Sequence, residues 1–301
     1  MTKHRDKAFN VIYGYKCNYS CVGCCNGSDY VTSGQHDPDI DKILESIEKL
    51  PSIIEIDPDG MITLLGGEPM MYWHDRIVPI AKSLRRAFPQ AKINIFSNGH
   101  LANRFVDDIV ELLDQENCDM TISRHLAGDM SSVLGTKWKD NIGSLVLDPR
   151  VTKVHDNHYH IKNNIRANIH FYQADEWFTW YQLSHDGKIK PWATNDPKGS
   201  IKYGCASGSS CSALFENRLY KCGSLAMLKG FLSARQQLDD HDWKKYLDYP
   251  YVDVLDIDQD KFDFFKSTYG KDTTYCDMCN NKPTNIIKWT DRTQSMIIQK
   301  R

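Results

Sequence analysis

Between Ala8 and Ser123 the chain alternates short apolar runs with segments of helical period, and this alternation restricts it to an α/β architecture. Ala8–Tyr13 (AFNVIY) is short, apolar and partly β-branched, and is bounded by Gly14, as a strand would be. Asp37-Pro38 offers an N-cap followed by proline at the first helical position; Ile40, Ile43, Leu44, Ile47 and Leu50 then keep helical spacing until Pro51. Lys42, Glu45, Glu48 and Lys49 make the solvated face of that helix. Met61–Leu65, Lys92–Phe96 and Asp119–Ser123 read as further strands. Helices over about 75–88, with Pro79 near the start or at a kink, and over about 105–113 separate them. Parallel strands need such long crossovers, so the alternation predicts βαβ units and a parallel sheet. It blurs across Lys153–His170, which is polar and rich in His and Asn, and stops near Asp196. Beyond that point Ser212–Phe215 and Arg218–Lys221 read as a hairpin closed at Glu216-Asn217.

Ligands of parallel α/β sheets bind at the carboxyl ends of the strands. Three distinctive segments fall there: Cys17–Cys24 after the first strand, Gly66-Gly67-Glu68-Pro69 after the second, and Ser97-Asn98-Gly99 after the third. The chain has ten cysteines in 301 residues, and nine lie in two groups towards its ends; Cys118 stands apart as an inert buried thiol. No apolar signal core follows the charged first seven residues, and no run approaches the roughly 18 apolar residues of a membrane helix. A cytoplasmic setting is therefore expected, in which clustered cysteines bind metal more often than they pair. With 37 basic and 39 acidic residues the net charge is −2, which gives no global electrostatic support to nucleic acid or an anionic membrane as partner.

Cys17, Cys21 and Cys24 are spaced C-x3-C-x2-C. Three thiolates on one loop can hold three irons of a [4Fe–4S] cluster and leave the fourth open. Cys25 is set aside as a ligand, because adjacent cysteines are poorly placed to grip two corners of one cube. A zinc site is the competing reading, but zinc sites commonly use paired C-x2-C motifs.

The three cysteines, followed by Gly66-Gly67-Glu68-Pro69, resemble the radical S-adenosylmethionine superfamily. The resemblance covers about residues 8–195 and implies a partial (β/α)6 TIM-like barrel. It implies that S-adenosylmethionine chelates the open iron, that Gly66, Gly67 and Glu68 meet its amino group, and that Ser97 and Asn98 approach the cofactor. Ser123 or Arg124, at the end of the fourth strand, is placed for the ribose and the cofactor carboxylate. The superfamily usually has an aromatic residue before its third cysteine; here it is Gly23, so adenine packing falls to Tyr19 or a later apolar residue.

Cys205, Cys211, Cys222, Cys276 and Cys279 form the second group. In the predicted hairpin Cys211 stands opposite Cys222, where side chains lie about 4.5–5.5 Å apart at Cβ, and Cys276-x2-Cys279 supplies a second pair. This region resembles the twitch form of the SPASM extension, which carries an auxiliary [4Fe–4S] cluster. Asn217 stands where that family has a glycine. The family's longer spacing points to Cys205 as first ligand, whereas hairpin geometry favours Cys211 with Cys222, Cys276 and Cys279. A four-cysteine zinc site and unligated core thiols are the alternatives.

The expected organisation is a core domain over 1–195 and a small cysteine-rich α+β extension over 196–301. The resemblance implies an oxidoreductase or isomerase that cleaves S-adenosylmethionine to a 5′-deoxyadenosyl radical. That radical would abstract hydrogen from a polar small-molecule or nucleoside-like substrate, with a reductant such as flavodoxin or ferredoxin. A peptide substrate is the alternative, weakened by the absence of an obvious leader-binding segment before the first strand; a cysteine-rich zinc-binding module is the non-enzyme alternative. His155, His158 and His160 read as a solvated or substrate-facing loop. The aromatic patch of Tyr172, Trp177, Phe178, Trp180 and Tyr181 reads as core, with base stacking as its functional alternative.

Overall fold

The computed structural model describes residues 3–21, 23–27, 36–124, 141–155, 157–173, 176–183, 188–205, 211–282 and 286–288. The four predicted strands are β1 (His4–Gly14), β2 (Ile54–Gly66), β3 (Lys92–Ser97) and β4 (Cys118–Arg124). Between them run α1 (Ile40–Lys49), α2 (Val78–Ala87) and α3 (Val106–Glu116). β1 to β4 pair side by side in parallel, as the alternation predicts. β1 and β2 are longer than their apolar cores: His4–Asp6 pairs with Ile54–Ile56, and an irregularity precedes the Ala8–Met61 pair.

After β4 the chain departs from simple alternation. β5 (Val151–His155), β6 (His158–Ile161) and β7 (Asn164–Gln173) form an antiparallel meander, and β7 then pairs in parallel with β4. The polar stretch whose register the sequence left open is thus strand throughout its described part, with alternate residues facing solvent at the sheet's end. β11 (Cys211–Phe215) and β12 (Arg218–Tyr220) are the predicted hairpin, with Phe215 opposite Arg218 and Ala213 opposite Tyr220. β11 lies parallel to β1 on the side away from β2. Together with β13 (Val252–Asp253) these strands make one ten-stranded sheet, ordered β13-β12-β11-β1-β2-β3-β4-β7-β6-β5. Its middle is six parallel strands, β11-β1-β2-β3-β4-β7. Two short ribbons stand apart: β9 (Gln182–Leu183) with β10 (Ile189–Lys190), and β8 (Glu176–Phe178) with β14 (Ile286–Lys288).

The sheet is buried on both faces around β1. Strand side chains alternate in direction, so Phe9, Val11 and Tyr13 enter one apolar cluster with α1–α3, while Ile12 enters a second. The second cluster joins Trp180, Tyr181 and Trp243 to α4 (Gly223–Ala234). α5 (Gln259–Thr268) packs Phe262 and Phe265 into the first. Each such fully buried side chain contributes about 1.5–3 kcal/mol.

Three local expectations are corrected. The N-cap of α1 is Asp39, whose carboxylate accepts from the N–H groups of Asp41 and Lys42, and not Asp37. The second helix opens with a π turn over Trp73–Ile77, so Pro79 falls at the start of α2, where its missing N–H costs nothing. In the β11–β12 turn the left-handed residue is Glu216 (φ 56°) and not Asn217, whose amide instead donates to Asp253 at 2.7 Å.

Candidate metal centres

The three distinctive segments meet at the carboxyl ends of β1, β2 and β3. Gly66 and Gly67 allow the β2 end to press against the β1 end. A Cβ on Gly67 would lie 2.0 Å from the Lys16 carbonyl oxygen, and one on Gly66 would lie 2.5 Å from that of Gly14. The Gly67 N–H donates to the Gly14 carbonyl and the Glu68 N–H to that of Lys16, both at 3.0 Å. The Asn26 amide closes the far side of the cysteine loop by donating to the Gly66 carbonyl at 2.6 Å.

Glu68 is buried, with 1 % of its surface exposed. Its carboxylate accepts from the Ser97 hydroxyl (2.8 Å), the Asn98 N–H (2.9 Å) and the Met70 N–H (3.4 Å). Burial pushes its pKa up to about 7, against the pull of those three donors. The Asn98 amide then reaches back to the first loop, donating to the Asn18 side-chain oxygen at 2.8 Å and lying 3.8 Å from Cys17 Sγ. The structure therefore brings Cys17, Gly66, Gly67, Glu68, Ser97 and Asn98 into one site, with Cys21 and Cys24 on the same loop. Ser123 is buried at the end of β4, opposite Tyr172. Arg124 occupies the last position of β4, and its side chain lies outside the described residues. Gly23 and Gly27 take positive φ (69° and 71°), which lets the loop turn tightly around its cysteines.

The donor set fits an iron–sulfur cluster. None of the ten cysteines is in a disulfide. Burial and the Glu68 charge hold the Cys17 thiol well above the usual range, so only a bound cation would bring it to the thiolate. The Asn18 side-chain nitrogen beside it is buried without a hydrogen-bond partner, an orphaned donor in a site that otherwise satisfies its polar groups. Among the described residues no group of three or more His, Cys, Asp and Glu side chains stands at the spacing of a single ion.

The loop is also held by residues whose role the motifs do not reveal. Asp37, freed from capping, accepts from the Tyr15 N–H and the Tyr72 hydroxyl, each at 2.7 Å, and Tyr72 accepts in turn from the Lys16 N–H at 2.6 Å. Trp180 donates its indole N–H to the Cys25 carbonyl (3.1 Å), and the Tyr181 hydroxyl donates to that of Cys24 (3.2 Å). Both rings pack against Phe231 of α4. Within the aromatic patch these two are therefore core residues that clamp the cysteine loop. Tyr172 is exposed, and the side chains of Trp177 and Phe178 lie outside the described residues. Tyr19 is buried, its hydroxyl 3.3 Å from His100 Nδ1. Cys118 is fully buried at the start of β4.

In the second group Cys205, Cys222, Cys276 and Cys279 line one cavity of about 40 Å³, with Lys221, Leu225, Tyr275 and Met278. Cys211 does not line it; the Asn10 amide donates to its sulfur. The reason is local. The β11–β12 ladder ends at Ala213–Tyr220, so Cys211 and Cys222 never face each other, and Cys222 turns away to cap α4. Burial pushes the Cys222 thiol up to about 12 and Cys279 higher still. Between the last two cysteines Asp277 is buried. It is held by Lys245 (2.8 and 3.1 Å) and by the Tyr246 hydroxyl (2.8 Å).

His155 and His158 contact each other at 3.1 Å between ring nitrogens, and His158 stacks on His170 with centroids 4.6 Å apart. His160 lies on β6 opposite Thr152, away from that contact.

Residues 8–136 match a family model described as a 4Fe-4S single cluster domain. No curated protein sequence matches the chain. Among solved structures, BtrN in complex with AdoMet and 2-DOIA is 12% identical with a TM-score of 0.46, over 94% of this chain and 98% of that one. The anaerobic-type protein titled anSMEcpe with bound AdoMet is 14% identical with a TM-score of 0.32, over 46% and 40%. SuiB of Streptococcus suis is 13% identical with a TM-score of 0.33, over 79% and 67%.

Proposed function

We propose that this chain, which matches a 4Fe-4S single cluster domain over residues 8–136, is a radical S-adenosylmethionine enzyme. It acts on a polar small-molecule or nucleoside-like substrate and gives oxidation or rearrangement. The observation that carries this reading is the convergence, at three strand ends, of the Cys17–Cys24 loop with buried Glu68 and the Ser97-Asn98 turn. When bound, a [4Fe–4S] cluster and S-adenosylmethionine supply reductive cleavage of the sulfonium to a 5′-deoxyadenosyl radical.

The chain's own residues bind and orient. Cys17, Cys21 and Cys24 hold the cluster and leave one iron for the cofactor. Glu68 presents a carboxylate to the cofactor's ammonium, held in place by Ser97 and Asn98. Ser123 and Arg124 face the ribose and carboxylate. The clamp of Trp180 and Tyr181 on the loop keeps water from the site.

For the second centre the reading assigns an auxiliary [4Fe–4S] cluster to Cys205, Cys222, Cys276 and Cys279, which share the cavity that Cys211 does not reach. The core domain is taken as 1–195 and the extension as 196–301, with flavodoxin or ferredoxin as reductant.

Iron and sulfide counts after anaerobic reconstitution, with an assay for 5′-deoxyadenosine, test the reading. About eight irons per chain are expected for two cubanes, together with cleavage that Cys17→Ala abolishes. Zinc in place of iron at the first loop, or full cleavage by Cys17→Ala, would sink it.

A further inference from the structure

A lysine ammonium is costly to bury unless it is paired and hydrogen-bonded. Lys221 has 2 % of its surface exposed, and it lines the cavity formed by Cys205, Cys222, Cys276 and Cys279. Its Nζ donates to the carbonyl oxygens of Thr268 and Lys271, at and just beyond the end of α5. Those two acceptors satisfy two of its three N–H groups but carry no net charge. Among the described residues no carboxylate forms an ion pair with it, whereas Cys205, Cys222 and Cys276 all lie within its Coulombic reach. The fixed position follows from the chain: Lys221 continues β12 and immediately precedes Cys222, so the ladder and the start of α4 hold it from both sides.

We infer that Lys221 is the counter-cation of an iron–sulfur centre at Cys205, Cys222, Cys276 and Cys279, raising its reduction potential. This rests on the reading of the second cysteine group as an iron–sulfur site. A cluster ligated by four thiolates is anionic and gains a further negative charge on reduction, and net charge is one of the determinants of its potential. A cation held in a low-dielectric cavity therefore favours the reduced form more than the oxidised one. The carbonyls of Thr268 and Lys271 fix where that charge sits. Lys221 is thus a positioning residue: it acts through the cluster and not on the substrate.

The test is a redox titration of the reconstituted full-length protein, followed by electron paramagnetic resonance. It compares the wild type with Lys221→Met, Lys221→Gln and Lys221→Arg, with iron counted in each. The two neutral variants are expected to keep both clusters and to lower the auxiliary midpoint by at least tenfold in the redox equilibrium, about 59 mV for one electron. Lys221→Arg should retain the wild-type value. Loss of the auxiliary iron in both neutral variants with retention in Lys221→Arg would also support the role, since the charge would then be needed to hold the anion. An unchanged midpoint in the neutral variants, or iron loss in all three, overturns the inference. A wild type that binds iron at the first loop alone, or zinc at the second, refutes the underlying reading instead.

Discussion

A carboxylate with no exposed surface sits where β1 meets β11. Asp6 accepts from the Ala8 N–H, the Tyr269 hydroxyl and the Ser212 hydroxyl, yet burial pushes its pKa up to about 7. In the unfolded chain its ordinary value is 3.8. The neutral form is the one the fold prefers, so this group's contribution is largest at acid pH. It is lost as pH rises from about 4 to about 7 and is constant above that. Urea titrations should show Asp6→Asn to be less sensitive than the wild type over that interval, by on the order of 2–4 kcal/mol. Parallel pH profiles for the two proteins would refute the assignment. At the same scale, Glu68→Gln keeps a similar shape but removes the charge offered to a cofactor ammonium. The expected result is unchanged iron content with a KM for S-adenosylmethionine raised about tenfold or more, as a charged hydrogen bond of 1.5–3 kcal/mol implies.

Among the elements, the cysteine loop depends on two packing contacts from distant segments. Gly27 combines a φ of 71° with a ring of Phe231 only 2.4 Å from where a Cβ would stand. Gly27→Ala must therefore displace either the loop or α4, at a cost of about 1–3 kcal/mol. Iron bound at the first loop should fall, while the auxiliary iron stays; equal loss at both sites would mean that the whole fold, and not the loop, was disturbed. Trp180→Phe keeps the ring in the second core but deletes the donor to Cys25. It should cost about 1 kcal/mol and speed oxidative loss of the first cluster, measured as bleaching in air.

For the whole molecule, the important fact is that β11 belongs to the same sheet as β1. A fragment ending at residue 195 would leave β1 with an open edge and strip α4 from the second apolar cluster. Such a fragment should be insoluble or molten, without the cooperative unfolding of the full chain; a cooperative, soluble fragment would show that the extension is dispensable to the core. The two cysteine sites nonetheless remain chemically separate. Cys222→Ala should lose about half the iron and still form 5′-deoxyadenosine, the converse of Cys17→Ala.

What the sequence determined is what local chemistry can encode. Apolar alternation placed β1–β4 and α1–α3 to within a few residues, because side-chain period and backbone geometry are tied together. The C-x3-C-x2-C spacing, the Gly-Gly-Glu segment and Ser97-Asn98 were legible for the same reason: each is a short stretch with its own chemistry. The tertiary structure decided which distant residues share a space. It set Cys205 and not Cys211 beside Cys222, Cys276 and Cys279, because the β12 ladder stops at Tyr220. It also released Asp37 from capping to pin Tyr15 and Tyr72, and aimed Trp180 and Tyr181 at the cysteine loop. No local pattern carries those choices, since they follow from how a parallel sheet buries both faces and from where its edge strands end.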